Sequence, residues 1–540
     1  MATMTGAEAL VESLVREKVE VIFGIPGIQI MELVDTISRE DKVRWVSTRH
    51  EQTTAYMAFG YSRTTGKTGV AMVVPGPGAL NATAAVGTAY AASTPLLLLA
   101  GQIDRENLGK NHGVLHEMAE QLDSFRSITK WSHRAMEVEK LPAAISKAMF
   151  LTSSGRPRPV EVEIPFDLWK EKAEISFDGG VQGPIQDIDK DKIKQAAHLL
   201  AGAKRPVIWA GGGVITADAS EEITRLAERI NAPVVMTSEG KGAIHAEHPL
   251  AAGLASFAAN PILTEADVLI SFGSRFFFPA PLKARMPEGL KVVQVDADSD
   301  ELGRNYLPEI GIVADLGAVL SVLLKELPGR ANSQWDNKTI NDSNLRVRAK
   351  LEEVAPIQMN LIDDIRAVLP EDSIVVPGVT NLGYWIQSAY PVLKPRTLVT
   401  ASYFGTLGYG FPTALGAKIG NPDKPVVAIC GDGGFLFAAG ELATAVQYGI
   451  NLITIVFVDN AYGACLSFQK RDYENRAEGT LLKNPSFSAL ADSFGVTGVK
   501  LSHYSELKDA LKSALTENSP VVIEVPQPDM PYPWEVRTAL

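Results

Sequence analysis

Cysteine is nearly absent: Cys430 and Cys465 are the only two in 540 residues. That excludes a disulfide framework and suits a reducing compartment. A basic excess is absent too. The 51 Lys and Arg are outnumbered by 63 Asp and Glu, a net charge of −12. With no basic cluster either, no nucleic-acid partner is expected. Long apolar runs are missing. The longest, Ala82–Gly101, is broken by Pro95, and its first half is Ala, Gly, Thr and Ser. It reads as a buried helix and then a buried strand, Leu96–Ala100, with no membrane span. The N-terminus lacks the charged-then-apolar pattern of a secretory signal. A cytoplasmic globular protein is the expectation. At this length one core is too large, and two to four domains are expected.

What the chain does have is a βαβ unit at Pro425–Ala464. Pro425–Cys430 reads as a short buried strand, and Gly431-Asp432-Gly433-Gly434 follows at once. Leu442, Ala445, Val446 and Gly449 then recur at helical spacing, with Gly449 suited to the position just past a helix end. Ile450–Val458 is a second buried strand, ending in Asp459-Asn460-Ala461-Tyr462-Gly463. Such a crossover is right-handed with parallel strands, and parallel sheets bind ligands beyond the carboxyl ends of their strands. Asp432 and Asp459 stand at two such ends, 27 positions apart. The glycines admit close backbone approach, and the new helix offers N–H groups to an anion. Two oxygen ligands beside an anion site suit Mg²⁺ bridging to a diphosphate. The plainer alternative is an acidic turn closing a strand.

The N-terminal region alternates in the same way. Ala7–Val15 has helical spacing, Val19–Phe23 is a strand, and Gly24-Ile25-Pro26-Gly27 is a tight turn. Val43–Ser47 is a strand, and His50-Glu51 opens a helix through Ala55, Ala58 and Gly60. Gly69–Val74 ends in Pro75-Gly76-Pro77-Gly78, and Arg156–Pro165 is a last strand. Farther on, Pro206–Ala210 runs into Gly211-Gly212-Gly213, and Pro233–Thr237, Val268–Gly273 and Lys291–Val295 are strands. The contiguous glycines lack the spacing and acidic partner of a dinucleotide fingerprint. Asp296–Asp300 imitates a calcium loop, but Glu301 and Leu307 stand where its Gly and Glu belong. The expected fold class is α/β, with three doubly wound parallel-sheet domains. These are residues 1–170, 190–327 and 356–530, joined by linkers at about 171–190 and 328–355. The Pro-rich tail, Gln527–Leu540, reads as a cover for a site or a frayed end.

Gly431-Asp432-Gly433, followed after a helix and a strand by Asp459-Asn460, resembles the motif of thiamine-diphosphate-dependent enzymes. His50-Glu51, Ala58-Phe59-Gly60-Tyr61-Ser62-Arg63, Thr65-Gly66-Lys67 and Gly69-Val70 resemble that family's pyrimidine-domain signature. Gly24–Gly27, and Pro75–Gly78 with Asn81, resemble its flanking turns, and Gly405-Thr406-Leu407-Gly408 resembles the element under the bent cofactor. The nearest subgroup looks like the acetolactate synthase, pyruvate oxidase and benzaldehyde lyase branch.

The resemblance implies a pyrimidine-binding, a central and a diphosphate-binding domain, with thiamine diphosphate and Mg²⁺ as cofactors. It implies that Asp432, Asp459 and the Ala461 carbonyl hold the metal, with Asn460 a rival for the second place. Glu51 is the implied catalytic residue. It bonds the pyrimidine ring nitrogen, so that the exocyclic nitrogen takes the C2 proton and leaves an ylide. A carboxyl group there is also a common partner for a helix N-terminus. Leu407 is the implied wedge, and the Gly405 carbonyl the acceptor for the amino group. Gly27, Pro75, Gly76, Asn81, Thr380, Asn381, Gly431, Gly433, Gly434, Tyr462 and Gly463 are the further implied cofactor contacts. Active sites in this family are shared between subunits, so a homodimer or homotetramer is implied. A flavin (FAD) in the central domain is permitted but not expected.

Ile28, Gln29, Ala464 and Cys465 are candidates for the substrate pocket, as are His112 and His116. Leu115-His116-Glu117 stands where acetolactate synthases and the oxidases carry Phe-Gln-Glu. A His there can shuttle a proton or be a satisfied histidine with no role. The leading expectation is a 2-oxo acid carboligase, acetolactate synthase-like, with an aldehyde or ketone acceptor. The alternative is a 2-oxo acid decarboxylase or a 2-hydroxy ketone lyase.

Overall fold

In the computed structural model, residues 2–177, 188–256, 262–276, 286–328 and 332–536 are described. Half of the first linker, residues 178–187, and the last four residues of the tail lie outside them.

Buried apolar runs become parallel strands in three sheets. The N-terminal sheet has six, in edge-to-edge order Arg44–Ser47, Val21–Gly24, Gly69–Val73, Leu96–Gln102, Val160–Pro165 and Trp131–Arg134. The central sheet also has six: Ala251–Leu254, Val234–Met236, Pro206–Ala210, Val268–Phe272, Lys291–Asp296 and Ile310–Val313. The C-terminal sheet has five: Ile374–Pro377, Val426–Gly431, Ile453–Val458, Val521–Pro526 and Thr497–Lys500. Helices cover both faces, which is why a strand such as Leu96–Gln102 is buried along its whole length. The three doubly wound sheets agree with the expected fold class.

The outer sheets share one hydrophobic core, running from Val21 and Phe23 to Val456 and Val522. Its middle is a crossing of two helices, Glu51–Thr65 and Gly410–Gly420. A Cβ at Gly60 would stand 1.9 Å from the Thr413 carbonyl oxygen, and one at Gly416 would stand 1.9 Å from that of Met57. Only hydrogen fits at either contact. This crossing brings the mouth of the first helix toward the C-terminal sheet.

Several boundaries differ from expectation for identifiable reasons. The strand Ile453–Val458 starts three residues late. Ile450 is still part of the preceding helix end, its N–H bonding Ala445 O at 2.8 Å beside Gly449 at φ +60°. Arg156–Pro165 shortens to Val160–Pro165, since Pro157 and Pro159 have no N–H to give a ladder. The expected first linker is partly a strand, Lys172–Ile175, paired antiparallel with Ala2–Thr5. The expected second linker holds an 18-residue helix, Asn337–Val354. Its polar surface is laced by Lys338–Asp342 and Arg348–Glu352 pairs, and Ile340 and Leu351 anchor it.

Candidate active site

Asp432 opens a short helix right after the strand Val426–Gly431 and is buried. Its Oδ1 accepts from Gly433 N at 2.7 Å. Its Oδ2 accepts from Asn460 N at 2.7 Å and from Asn484 Nδ2 at 2.9 Å. Asp459 ends the next strand. Its Oδ1 accepts from Ala461 N at 3.1 Å and its Oδ2 from Gln527 Nε2 at 2.9 Å. Loss of solvent raises the Asp432 carboxyl above its usual range, against the pull of these hydrogen bonds. Asp459 keeps an exposed surface, yet its carboxyl turns into the 459–463 loop. Desolvation, then the neighbouring Asp432 charge, pushes it up to about 6.

Around this pair the candidate residues converge. A Cβ at Gly431 would stand 2.9 Å from Thr380 Oγ1, and one at Gly434 would stand 3.7 Å from Leu407 Cδ2. One at Gly433 would stand 2.8 Å from the Tyr462 ring, and one at Gly463 would stand 2.5 Å from Asp459 Oδ2. Leu407 is half-buried and Gly405 exposed. Asn460 sits at φ +53°; its N–H is given to Asp432, and its carbonyl accepts from Leu482 N at 2.7 Å. The Ala461 carbonyl has no backbone donor among the described residues.

This donor set fits a divalent cation held jointly with a phosphate. The Asp432 and Asp459 carboxylates lie close enough for the Asp432 charge to raise Asp459, and the Ala461 carbonyl, with no backbone donor among the described residues, stands beside them. No group of three or more His, Cys, Asp and Glu side chains able to hold a metal occurs among the described residues. An all-protein cage is therefore not built here. Mg²⁺ typically takes one or two carboxylates and completes its shell with phosphate oxygens and water.

The second cluster lies in the N-terminal sheet. Glu51 is the first residue of its helix, with His50 as the cap, its Nδ1 accepting from Gln52 N at 3.1 Å. Asn81 Nδ2 donates to Glu51 Oε2 at 2.9 Å. A Cβ at Gly78 would stand 2.7 Å from Val74 Cγ2 and 3.5 Å from Glu51 Oε1, so the missing side chain leaves room at the carboxyl. One at Gly27 would stand 2.4 Å from Val74 Cγ1, which brings the first turn onto the Pro75–Gly78 turn. Gly76 has φ +61°, and its N–H donates to Gln121 Oε1 at 2.8 Å.

Gln29 is buried; its Nε2 donates to Leu115 O at 3.3 Å, and its Oε1 has no partner. His116 Nδ1 is likewise buried and unpartnered. Other candidates sit apart from these groups. Ile28 is 68% exposed. His112 is exposed and paired with Asn107 Oδ1 at 3.1 Å. Asn381 spends its amide on the Met530 carbonyl at 2.9 Å. Ala464 and the exposed Cys465 begin the helix Gly463–Asp472 that follows the Asp459 loop.

Sequence reasoning missed four residues: Gln121, Glu441, Asn484 and Gln527. Glu441 is buried, and its Oε1 accepts from Arg49 N at 2.8 Å and from the Thr53 hydroxyl, tying the Glu51 helix to the C-terminal crossover. A lone acid among Phe437, Ala438, Ala439 and Leu442 was its available signal. The three amides had none. In the middle domain, the Gly211–Gly213 turn packs on Gly273, Gly213 N donating to Gly273 O at 2.9 Å. Beyond it, a cavity of about 230 Å³ is lined by Arg156, Arg158, Arg275 and Arg304 together with Asp298, Asp300 and Glu301.

Three family descriptions match the chain in order. They are the thiamine pyrophosphate enzyme N-terminal TPP-binding domain at residues 4–125, the central domain at 193–323 and the C-terminal TPP-binding domain at 378–525. The chain belongs to the thiamine-diphosphate-dependent enzyme family, whose members form or break carbon–carbon bonds. Within it the chain falls in the acetolactate synthase-like branch. It is 34% identical to a probable acetolactate synthase large subunit of Methanocaldococcus jannaschii, over 97% of this chain and 92% of that protein. It is 33% identical to the acetolactate synthase large subunit of Lactococcus lactis, over 96% and 92%. It is also 34% identical to a probable 2-ketoarginine decarboxylase of Pseudomonas aeruginosa, over 97% and 94%. No helix among the described residues is long and apolar enough to cross a membrane.

Proposed function

We propose that the protein is a Mg²⁺-dependent 2-oxo acid carboligase of the acetolactate synthase kind, working as at least a homodimer. The observation that carries the metal is the Asp432–Asp459 pair, two facing carboxylates beside a free carbonyl. Asp432, Asp459 and the Ala461 carbonyl would hold Mg²⁺, and Gly431, Gly433 and Gly434 leave room for the diphosphate. Thiamine diphosphate supplies, when bound, a centre that stabilises a carbanion next to a carbonyl carbon.

The chain's own residues do the rest. Glu51 holds a proton against the pyrimidine ring, and Asn81 fixes its carboxyl for that task. Leu407, whose Cδ2 would meet a Cβ at Gly434 at 3.7 Å, would pack against the bound cofactor beside the glycines of the Asp432 loop. Gln29 and His116 lie beside the Gly76 turn with unused polar atoms, where a substrate carboxylate or carbonyl would meet them. No hydrogen bond among the described residues joins Glu51 to the Asp432 loop, which accords with one site drawn from two copies. Leu80, Phe404, Leu436, Phe437 and Val446, all exposed in one chain, are apolar surface that a second copy would cover.

A decarboxylase is the second reading, favoured by the free Nδ1 of His116. A proton donor there would favour release of the acyl group as an aldehyde over its transfer to an acceptor. The test is CO₂ release with product identification on protein loaded with thiamine diphosphate and Mg²⁺. Pyruvate, aromatic 2-oxo acids, 2-ketoarginine and a 2-hydroxy ketone make the panel. A hydroxy-ketone acid product supports the carboligase, and free aldehyde supports the decarboxylase. Aldehyde from the hydroxy ketone alone makes the protein a lyase.

A further inference from the structure

The segment after the last strand, Gln527–Val536, folds back over the Asp459 loop. Buried donors grip its middle. The Pro531 carbonyl accepts from Trp385 Nε1 and Gln358 Nε2, both at 2.9 Å, and from Asn381 Nδ2 at 3.3 Å. Farther along, Trp534 stacks on Tyr532 at 4.6 Å and on Phe468 at 5.5 Å between ring centres. Phe468 lies on the helix Gly463–Asp472, and Ser467 of that helix donates to the Glu535 carboxylate. At the segment's start, Gln527 N donates to Val458 O at 3.0 Å, and Gln527 Nε2 donates to Asp459 Oδ2 at 2.9 Å. The segment is thus fastened at its start to Asp459 and Val458 and near its end to the helix that follows the Asp459 loop.

The chemistry of that contact is selective. Asp432 is held in the same way, by the amide of Asn484 at 2.9 Å. Both partners are neutral amides. A Lys or Arg would grip a carboxylate more firmly, because charge-assisted bonds are the stronger ones. A fixed cation would also cancel the charge that a divalent metal needs. An amide orients the oxygen and leaves the charge in place, the usual work of groups one step out from a metal.

We propose that Gln527 is a positioning residue for the metal ligand Asp459, set in place by the C-terminal segment. The divalent-metal site is then complete only when residues 527–536 are docked. The proposal rests on the reading of Asp459 as a ligand. A surface amide satisfying an exposed carboxylate is the rival account, and it leaves metal affinity untouched.

The test uses the full-length protein and two readouts that need no turnover. One is Mg²⁺ titration of thiamine diphosphate binding by near-UV circular dichroism. The other is Mn²⁺ binding by electron paramagnetic resonance at fixed thiamine diphosphate. Gln527→Met keeps the volume and removes the donor. It should raise the half-saturating metal concentration by roughly 10–100-fold, with the metal-free thermal midpoint little changed. Gln527→Lys places a cation on Asp459 and should weaken metal binding further, and it decides the matter should the Met variant misfold. Wild-type titrations from both variants overturn the proposal. Asp459→Ala separates the two levels. Loss of metal response there, with normal response in the Gln527 variants, removes only the positioning role. A normal response in Asp459→Ala removes the ligand reading and the proposal with it.

Discussion

Asn81 gives its amide to Glu51 across 2.9 Å, so a neutral donor orients the one carboxyl at the mouth of its helix. A carboxyl held this way can keep or lose a proton without breaking an ion pair. Glu51→Gln retains the shape and the hydrogen-bonding partners. Folding and thiamine diphosphate binding should be nearly unchanged, while turnover falls by roughly 10²–10⁴-fold, the usual range for a lost acid–base group. Proton exchange at the cofactor C2 carbon, followed by NMR, checks the same step without substrate. Wild-type exchange in that variant would remove Glu51 from the mechanism.

Gly76 should be nearly intolerant of substitution. Its φ is +61°, and a Cβ there would stand 2.7 Å from the His116 carbonyl oxygen. Gly76→Ala should cost about 1–3 kcal/mol in denaturant unfolding. It should also weaken thiamine diphosphate binding, because the turn carries Gly78 and shapes the space at Glu51. Gly449→Ala is the matched control. Its φ is +60°, but nothing lies within 4 Å of the added Cβ. It should lose about 1–2 kcal/mol and leave cofactor binding intact.

Asp296, at the end of a central strand, gives a pH signature far from the thiamine site. Burial, only partly opposed by Asp298 N–H and Arg156, pushes its carboxyl from 3.8 to about 6. Between those values the folded state holds a proton that the unfolded chain has lost, so this group's contribution to stability declines as pH rises from 4 to 6. Above 6 it is charged in both states and carries its full penalty, on the order of 2–3 kcal/mol. Asp296→Asn keeps an oxygen for the Asp298 N–H. It should raise the thermal midpoint relative to wild type at pH 7 and lose that advantage near pH 4. A midpoint difference independent of pH would show that Asp296 is not the titrating group.

The parts of the site that obey local rules were legible in the chain. Buried apolar runs put the strand ends at Cys430, one residue short of the observed Gly431, and at Val458, as observed, and Gly449 marked a helix end. The family resemblance implied Thr380, Leu407, Gly434 and Tyr462, which the fold draws to the Asp432 loop. What depends on tertiary pairing was not legible. Lys172–Ile175 is a strand only because Ala2–Thr5 lies beside it. The Asn337–Val354 helix has too few apolar anchors to show a clear period. Asn484 and Gln527 are single amides in irregular segments, and nothing near them in sequence marks the carboxylates they meet. His112 and His116 looked alike on paper. The fold sends one to the surface and tucks the other's Nδ1 inside, a difference set by the turn at His116, where φ is +67°.

The last expectation separates Asp459 from Asn460, which the sequence left as rivals for the second metal position. Asn460 is held by its backbone: its N–H goes to Asp432 and its carbonyl to Leu482, in a left-handed conformation that asparagine tolerates well. Its exposed side chain is not needed for either bond. Asn460→Ala should therefore cost about 1–2 kcal/mol in backbone strain and leave the Mg²⁺ requirement for cofactor binding as it was. Asp459→Ala removes a carboxylate that faces Asp432. It should raise the Mg²⁺ requirement by at least roughly 10–100-fold, the loss typical of even an indirect metal contact. Its fold should hold, because among the described residues the Asp459 carboxylate accepts from just Ala461 N and Gln527 Nε2. Asp459→Asn should fall between, since it keeps an oxygen for the metal but lowers the charge by one. The opposite ranking, with Asn460→Ala the damaging change, would mean that the metal loop binds one residue further along than its geometry indicates.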